Sequence, residues 1–225
     1  MVKLDKTQVK VRQFVTKTFL EKGFVPTSEE IGHYMNLGKV ETENTLRSLA
    51  ESKALVLHPH KCEVWLAHPF SASPNAFWVQ SLKSKIGWWS NCIWCAMGIA
   101  ALSKEDVKLT SRWGGEGDIF DVEIKNGIIS NSDFVVHMAL PVARLWDNVI
   151  HSCSLQLPFK SEEAVDEWCH RHRISKGSVI SAEKCYELSS KWYGPYLDVN
   201  WNRKSPEEAK EFFDSIGLDL NFKPI

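Results

Sequence analysis

Three cysteines carry the chemistry this chain could do. Cys92 and Cys95 stand in Trp88-Trp89-Ser90-Asn91-Cys92-Ile93-Trp94-Cys95-Ala96-Met97-Gly98-Ile99, and Cys153 lies far downstream in Ile150-His151-Ser152-Cys153-Ser154-Leu155. Ser90 and Asn91 are favoured helix N-caps and an apolar run follows them. The sequence therefore predicts a helix to about residue 102, with Cys92 in its first turn. Residues three apart share a helix face, so Cys95 is expected beside Cys92. A thiol at a helix N-terminus ionises more readily, because the helix dipole favours the thiolate. Paired soft donors of this kind suit a soft metal or thiol redox chemistry.

The elements that must position these thiols can be read on either side of them. Alternation over 149–157 predicts a strand with Val149, His151, Cys153, Leu155 and Leu157 on an inward face. On that reading Cys153 meets the cysteine helix, and the three sulfurs converge closely enough to hold one metal ion. Upstream, 1–68 reads as a winged helix-turn-helix-like domain. A helix is expected over 7–22, ended by Gly23, and a second from the capping-box pattern at Thr27 through Met35. A third is expected over 39–52 with Val40, Leu46, Leu49 and Ala50 inward, and strands 54–57 and 63–66 flank a His-Pro-His turn. That third helix carries Glu41, Glu43 and Glu51 against Lys39 and Arg47. A helix that reads DNA needs basic residues for the phosphates, so no DNA partner is expected.

A Pro- and Ser-containing connector, 69–80, opens the second expected domain, 69–225. Strands follow the cysteine helix at 109–113, 119–125, 128–130 and 134–140, with Asn126-Gly127 as a hairpin turn. Ser161, Ser181 and Ser205-Pro206 each start a closing helix. The fold class read from this order is α+β: a helical N-terminal domain, then a mixed domain with a small antiparallel sheet. The chain has 225 residues and a net charge of −1, which leaves nothing to drive broad binding to polyanions. The first residues are too charged for a signal peptide, and no apolar run approaches the roughly 20 residues of a membrane span. A cytoplasmic location with free thiols and no membrane partner is the expectation, as a monomer or weak dimer.

The thiols and their flanks resemble the organomercurial (alkylmercury) lyases over most of the chain. The resemblance lies in the connector around Pro69-Phe70-Ser71, the Cys92 helix start with Ala96, Gly98 and Ile99, and the Cys153 segment with Phe159 and Ser161. It implies the lyase fold and protonolysis of a carbon–mercury bond, with a small organometallic substrate and no required cofactor. Hg(II), or another soft metal ion, would be held as bound product. In the preferred register the resemblance puts the family's two catalytic cysteines on Cys92 and Cys153 and its catalytic Asp on Cys95; an alternative register puts the first Cys on Cys95 and the Asp on Gly98, and under either this chain lacks the Asp. Cys95 could then carry the proton as a thiol or act as a third soft ligand, so all three cysteines are candidates both for catalysis and for metal binding.

Three other readings compete. A non-catalytic, thiol-based heavy-metal-binding relative would use the same residues. A Cys-x-x-Cys redox pair would leave Cys153 unexplained. A structural zinc site would need His151 or His137 as fourth ligand. Elsewhere, Cys62, Cys169 and Cys185 read as packing, His137 as a core histidine, and His170 to Arg173 as a solvated helix end. Asp118 and Asp121 could supply a proton only if they pointed inward.

Overall fold

A computed structural model describes residues 4–198, 200–202 and 204–218. The chain opens with α1 (Lys6–Lys22), α2 (Ser28–Met35) and α3 (Lys39–Glu51). Asp5 with Gln8 and Thr27 with Glu30 form reciprocal capping boxes at the first two. Gly23 closes α1 at φ 79°, a left-handed position that suits glycine. In α3 the expected inward face is corrected at Val40, which is 71 % exposed. It lies nine positions before Leu49, which is about half a turn out of phase at 3.6 residues per turn. Thr42, one turn before Leu46, faces inward instead.

Five strands follow: β1 (Val56–Leu57), β2 (Val64–Ala67), β3 (Phe70–Ser71), β4 (Phe77–Ser81) and β5 (Gly87–Ser90). The expected connector over 69–80 is thus strand-forming along much of its length. Ala67 pairs with Phe70, so His68 and Pro69, joined by a cis bond, make a two-residue turn. Next come α4 (Ile93–Ser103), β6 (Val107–Arg112), β7 (Ile119–Lys125) and β8 (Ile128–Ile129). Asn126 and Gly127 both take positive φ, 50° and 74°, as the tight hairpin between β7 and β8 requires.

These strands form one eight-stranded antiparallel sheet in the order β1-β2-β3-β5-β4-β6-β7-β8. The sheet is larger than the small one expected, and position 68/69, the expected domain boundary, falls inside it. A second sheet has three antiparallel strands around β9 (Val135–Met138). The expected strand over 149–157 is corrected to a short helix, α5 (Val149–Ser154), followed by β10 (Gln156–Phe159). Asn148 is the reason: its side chain caps α5 by accepting from the His151 N–H. His151 is consequently exposed and Ser152 buried, the reverse of the alternating pattern.

The chain closes with α6 (Glu162–His172), β11 (Ser178–Ser181), α7 (Ala182–Tyr193), a 3-10 turn (Gly194–Leu197) and α8 (Pro206–Ser215). The core centres on α4, buried from Ile93 through Ala100. A helix apolar on every side has to be enclosed, and α7 packs along it. Gly98 makes that approach close. A Cβ there would stand 2.1 Å from the Tyr193 ring. Among the described residues no helix is long and apolar enough to cross a membrane.

Candidate active site

The structure brings Cys92, Cys95 and Cys153 together from the start of α4 and the end of α5. Cys92 lies one step earlier than expected. It is itself the N-cap of α4, and its Sγ accepts the Cys95 N–H at 3.3 Å. The thiol therefore satisfies one of the amides that a helix start leaves unpaired. Its own S–H points to Gln156 Oε1 at 3.2 Å, three residues beyond Cys153. One helix start and one helix-to-strand junction are thus tied through a single sulfur.

Cys95 sits one turn into α4, with its Sγ 3.1 Å from the Tyr193 hydroxyl. The close approach at Gly98 is what seats that ring over α4. Ser189 strengthens the same junction by donating to the Trp94 carbonyl at 3.0 Å. Cys153 lies 3.8 Å from Nε2 of His68. His68, Cys95 and Cys153 each place a ligating atom within 4.8 Å of the other two. Sequence reading missed His68, Gln156 and Tyr193. Only the His-Pro step before Phe70-Ser71 could have flagged His68, as a turn between two strands.

Charge is unevenly shared among the sulfurs. Burial would raise the Cys95 thiol, but the contacts with Cys153 and Cys92, the nearby His68 ring and the Tyr193 hydroxyl together outweigh it. Its pKa falls well below the usual thiol range. Burial and the neighbouring thiols push Cys92 well above that range, despite its place at the helix dipole. For Cys153 the bond with Cys92 acts downward, yet the Cys95 charge and burial together push it well up. The surroundings thus favour the thiolate on Cys95 and the protonated thiol on Cys92 and Cys153.

Cys95, Cys153 and His68 line the floor of a pocket of about 100 Å³ walled largely by aromatic side chains. No carboxylate lines it among the described residues. Asp118 and Asp121 are exposed, and Asp121 pairs with Lys108 at 2.8 Å. Neither expected fourth zinc ligand belongs to the site. His151 is exposed, while His137 is buried against the Lys176 carbonyl and lies 3.7 Å from Cys169. Cys169 and Cys185 are buried elsewhere in the core, and Cys62 is partly covered near α3. His170, Arg171 and His172 are solvent-facing, the last two against Glu116.

Comparison with known proteins bears on this arrangement. The model of the family described as alkylmercury lyase matches residues 70–194. The solved mercury-bound form of MerB2 superposes with a TM-score of 0.70 at 15 % sequence identity, covering 87 % of this chain and 93 % of that one. No curated protein matches the chain.

Proposed function

The chain belongs to the alkylmercury lyase family, and we propose that it cleaves carbon–mercury bonds at the three-thiol site. The observation that carries the reading is the convergence of Cys92, Cys95 and Cys153, with His68 beside them, at the floor of a pocket. Mercury is soft and thiolates are the softest side-chain donors. The Cys95 thiolate attacks the mercury of R–Hg–SR′ and releases R′S⁻. The proton of Cys153 then passes to the carbon of R as the carbon–mercury bond breaks. Its sulfur takes the vacated position, leaving the hydrocarbon and a Cys95–Hg–Cys153 bridge. Cys92 remains a protonated reserve behind the pair, anchored by Gln156, and His68 positions the Cys153 thiol. No resident cofactor is required, since the metal arrives with the substrate.

A second reading has its own support. No carboxylate lines the pocket, so no hard group competes with the sulfurs for bound Hg(II). The protein would then be a thiol-based heavy-metal binder without turnover. One experiment separates the two: incubate reduced protein with phenylmercury and a thiol buffer, counting benzene and bound Hg(II) together. Benzene formed in proportion to protein supports the lyase, whereas bound phenylmercury that never yields benzene supports the binder. Cys153→Ser is expected to lower benzene release at least a hundredfold, because a hydroxyl is a poor acid and a poor mercury ligand. Cys95→Asp is expected to lower benzene release at least as far, because a carboxylate is a hard donor that attacks and holds mercury poorly.

A further inference from the structure

We propose that the pocket selects mercurials that bring a carboxylate with them, on the organic group or on the carrier thiol. The inference rests on the lyase or mercury-binding reading of the same site, and adds the class of compound that the site prefers. Three lysines, Lys53, Lys191 and Lys204, line the pocket and no Asp or Glu does, in a chain whose net charge is −1. All three are exposed, whereas Cys95 and Cys153 are 1 % and 6 % exposed. The positive charge is therefore at the rim and the soft sulfur at the floor.

The lysines are not equally free. Lys191 already faces Glu187 at 2.7 Å. Lys53 and Lys204 make no ion pair among the described residues, and Lys204 lies 5.5 Å over the Phe212 ring. Lys53 is fixed by the turn that ends α3, at φ 60° with its N–H donating to the Ala50 carbonyl at 2.9 Å. Between rim and floor stand flat aromatic walls, including Trp146 and Trp192 stacked with centroids 5.7 Å apart. A compound with mercury at one end and a carboxylate at the other meets all three surfaces in order. An exposed charge pair contributes modestly and is screened by salt, so the preference should be small and salt-sensitive.

The test uses the full chain and three probes. They are phenylmercury carried by 2-mercaptoethanol, 4-carboxyphenylmercury carried by 2-mercaptoethanol, and phenylmercury carried by mercaptoacetate. Kd from quenching of the tryptophans that wall the pocket and kcat/KM from hydrocarbon release are both read. The carboxylated probes should bind about fivefold tighter than the neutral one at roughly 50 mM salt, with parity returning near 0.5 M. A gain only with 4-carboxyphenylmercury assigns the site to the organic group, and a gain only with mercaptoacetate assigns it to the carrier. In Lys53→Gln/Lys204→Gln the ratio should fall to near one, with thermal unfolding confirming that the variant is folded. Equal binding of all three probes at low salt overturns this inference and leaves the lyase reading standing. If none of the probes binds, the function reading fails and this inference with it. The salt titration of the parent decides the matter even if the double variant does not fold.

Discussion

Cys95 is the residue on which the site turns, and its position was legible while its charge was not. The Cys-x-x-Cys spacing placed it beside Cys92, but groups that lower its pKa come from distant segments: Cys153, His68 and Tyr193. A depressed pKa should show in reactivity. Iodoacetamide at pH 6 is expected to modify Cys95 first. Cys185, fully buried and pushed far up, should stay unmodified until the protein unfolds. Peptide mapping that found alkylation rising only above about pH 8.5, the free thiol value, would sink the thiolate assignment. Stability has a matching signature. Cys92, Cys153 and Cys185 have raised folded pKa values, so their contribution is full below about pH 8.5 and is lost as pH rises beyond it. Cys95 has the opposite sign, with its contribution full above about pH 8.5 and lost as pH falls toward its lowered value. Urea midpoints should therefore drop more steeply from pH 8.5 to 10 than from pH 8.5 to 7.

At the scale of elements, α4 and α5 show where sequence reading succeeds and where it stops. α4 was readable because a long apolar run behind cap residues has few alternatives, although Cys92 took the cap in place of Ser90 or Asn91. α5 was misread because six residues of alternating character fit a strand locally. The Asn148 cap and the packing of Ser152 decide for helix. Cys153 still reached the site, since both readings face it inward. The strands β3 and β4 were missed because Pro69, Ser73 and Pro74 suggest a connector, whereas backbone pairing with β5 decides. The α4–α7 contact carries a prediction of its own. Gly98→Ala puts a methyl 2.1 Å from the Tyr193 ring, so α7 must shift. A cost of about 1–3 kcal/mol is expected from overpacking. The Tyr193 hydroxyl should also move away from Cys95, so alkylation at pH 6 should slow in the folded variant. A variant with parental stability and parental alkylation rate would show that α7 does not set the charge on Cys95.

For the whole molecule, the N-terminal helices serve the pocket. Arg12 on α1 is 4 % exposed, donates to the Tyr196 carbonyl at 2.7 Å and lies 3.3 Å over the Trp201 ring. Gln13 reaches the carbonyls of Leu197 and Asp198 at 3.3 Å each. Tyr196 and Trp201 are pocket walls, and Lys53, Ala54 and His68 of the first 68 residues also line it. A sequence pattern that resembles a DNA reader is thus spent on shaping a site, and we expect no salt-sensitive binding to duplex DNA. Burial lowers Arg12 to about 10, against the opposing influence of Tyr196, so it stays charged at neutral pH. A buried cation with one charged hydrogen bond and two aromatic faces contributes roughly 2–4 kcal/mol when its partners are left behind. Arg12→Met retains length and apolar bulk while removing the charge and the donors. It should lower stability by about that amount and free the 194–201 segment, raising KM for phenylmercury more than it lowers kcat. Limited proteolysis should locate new cleavage within 194–201. If Arg12→Met leaves KM and the cleavage pattern at parental values, α1 is a passive support and the pocket wall holds itself in place.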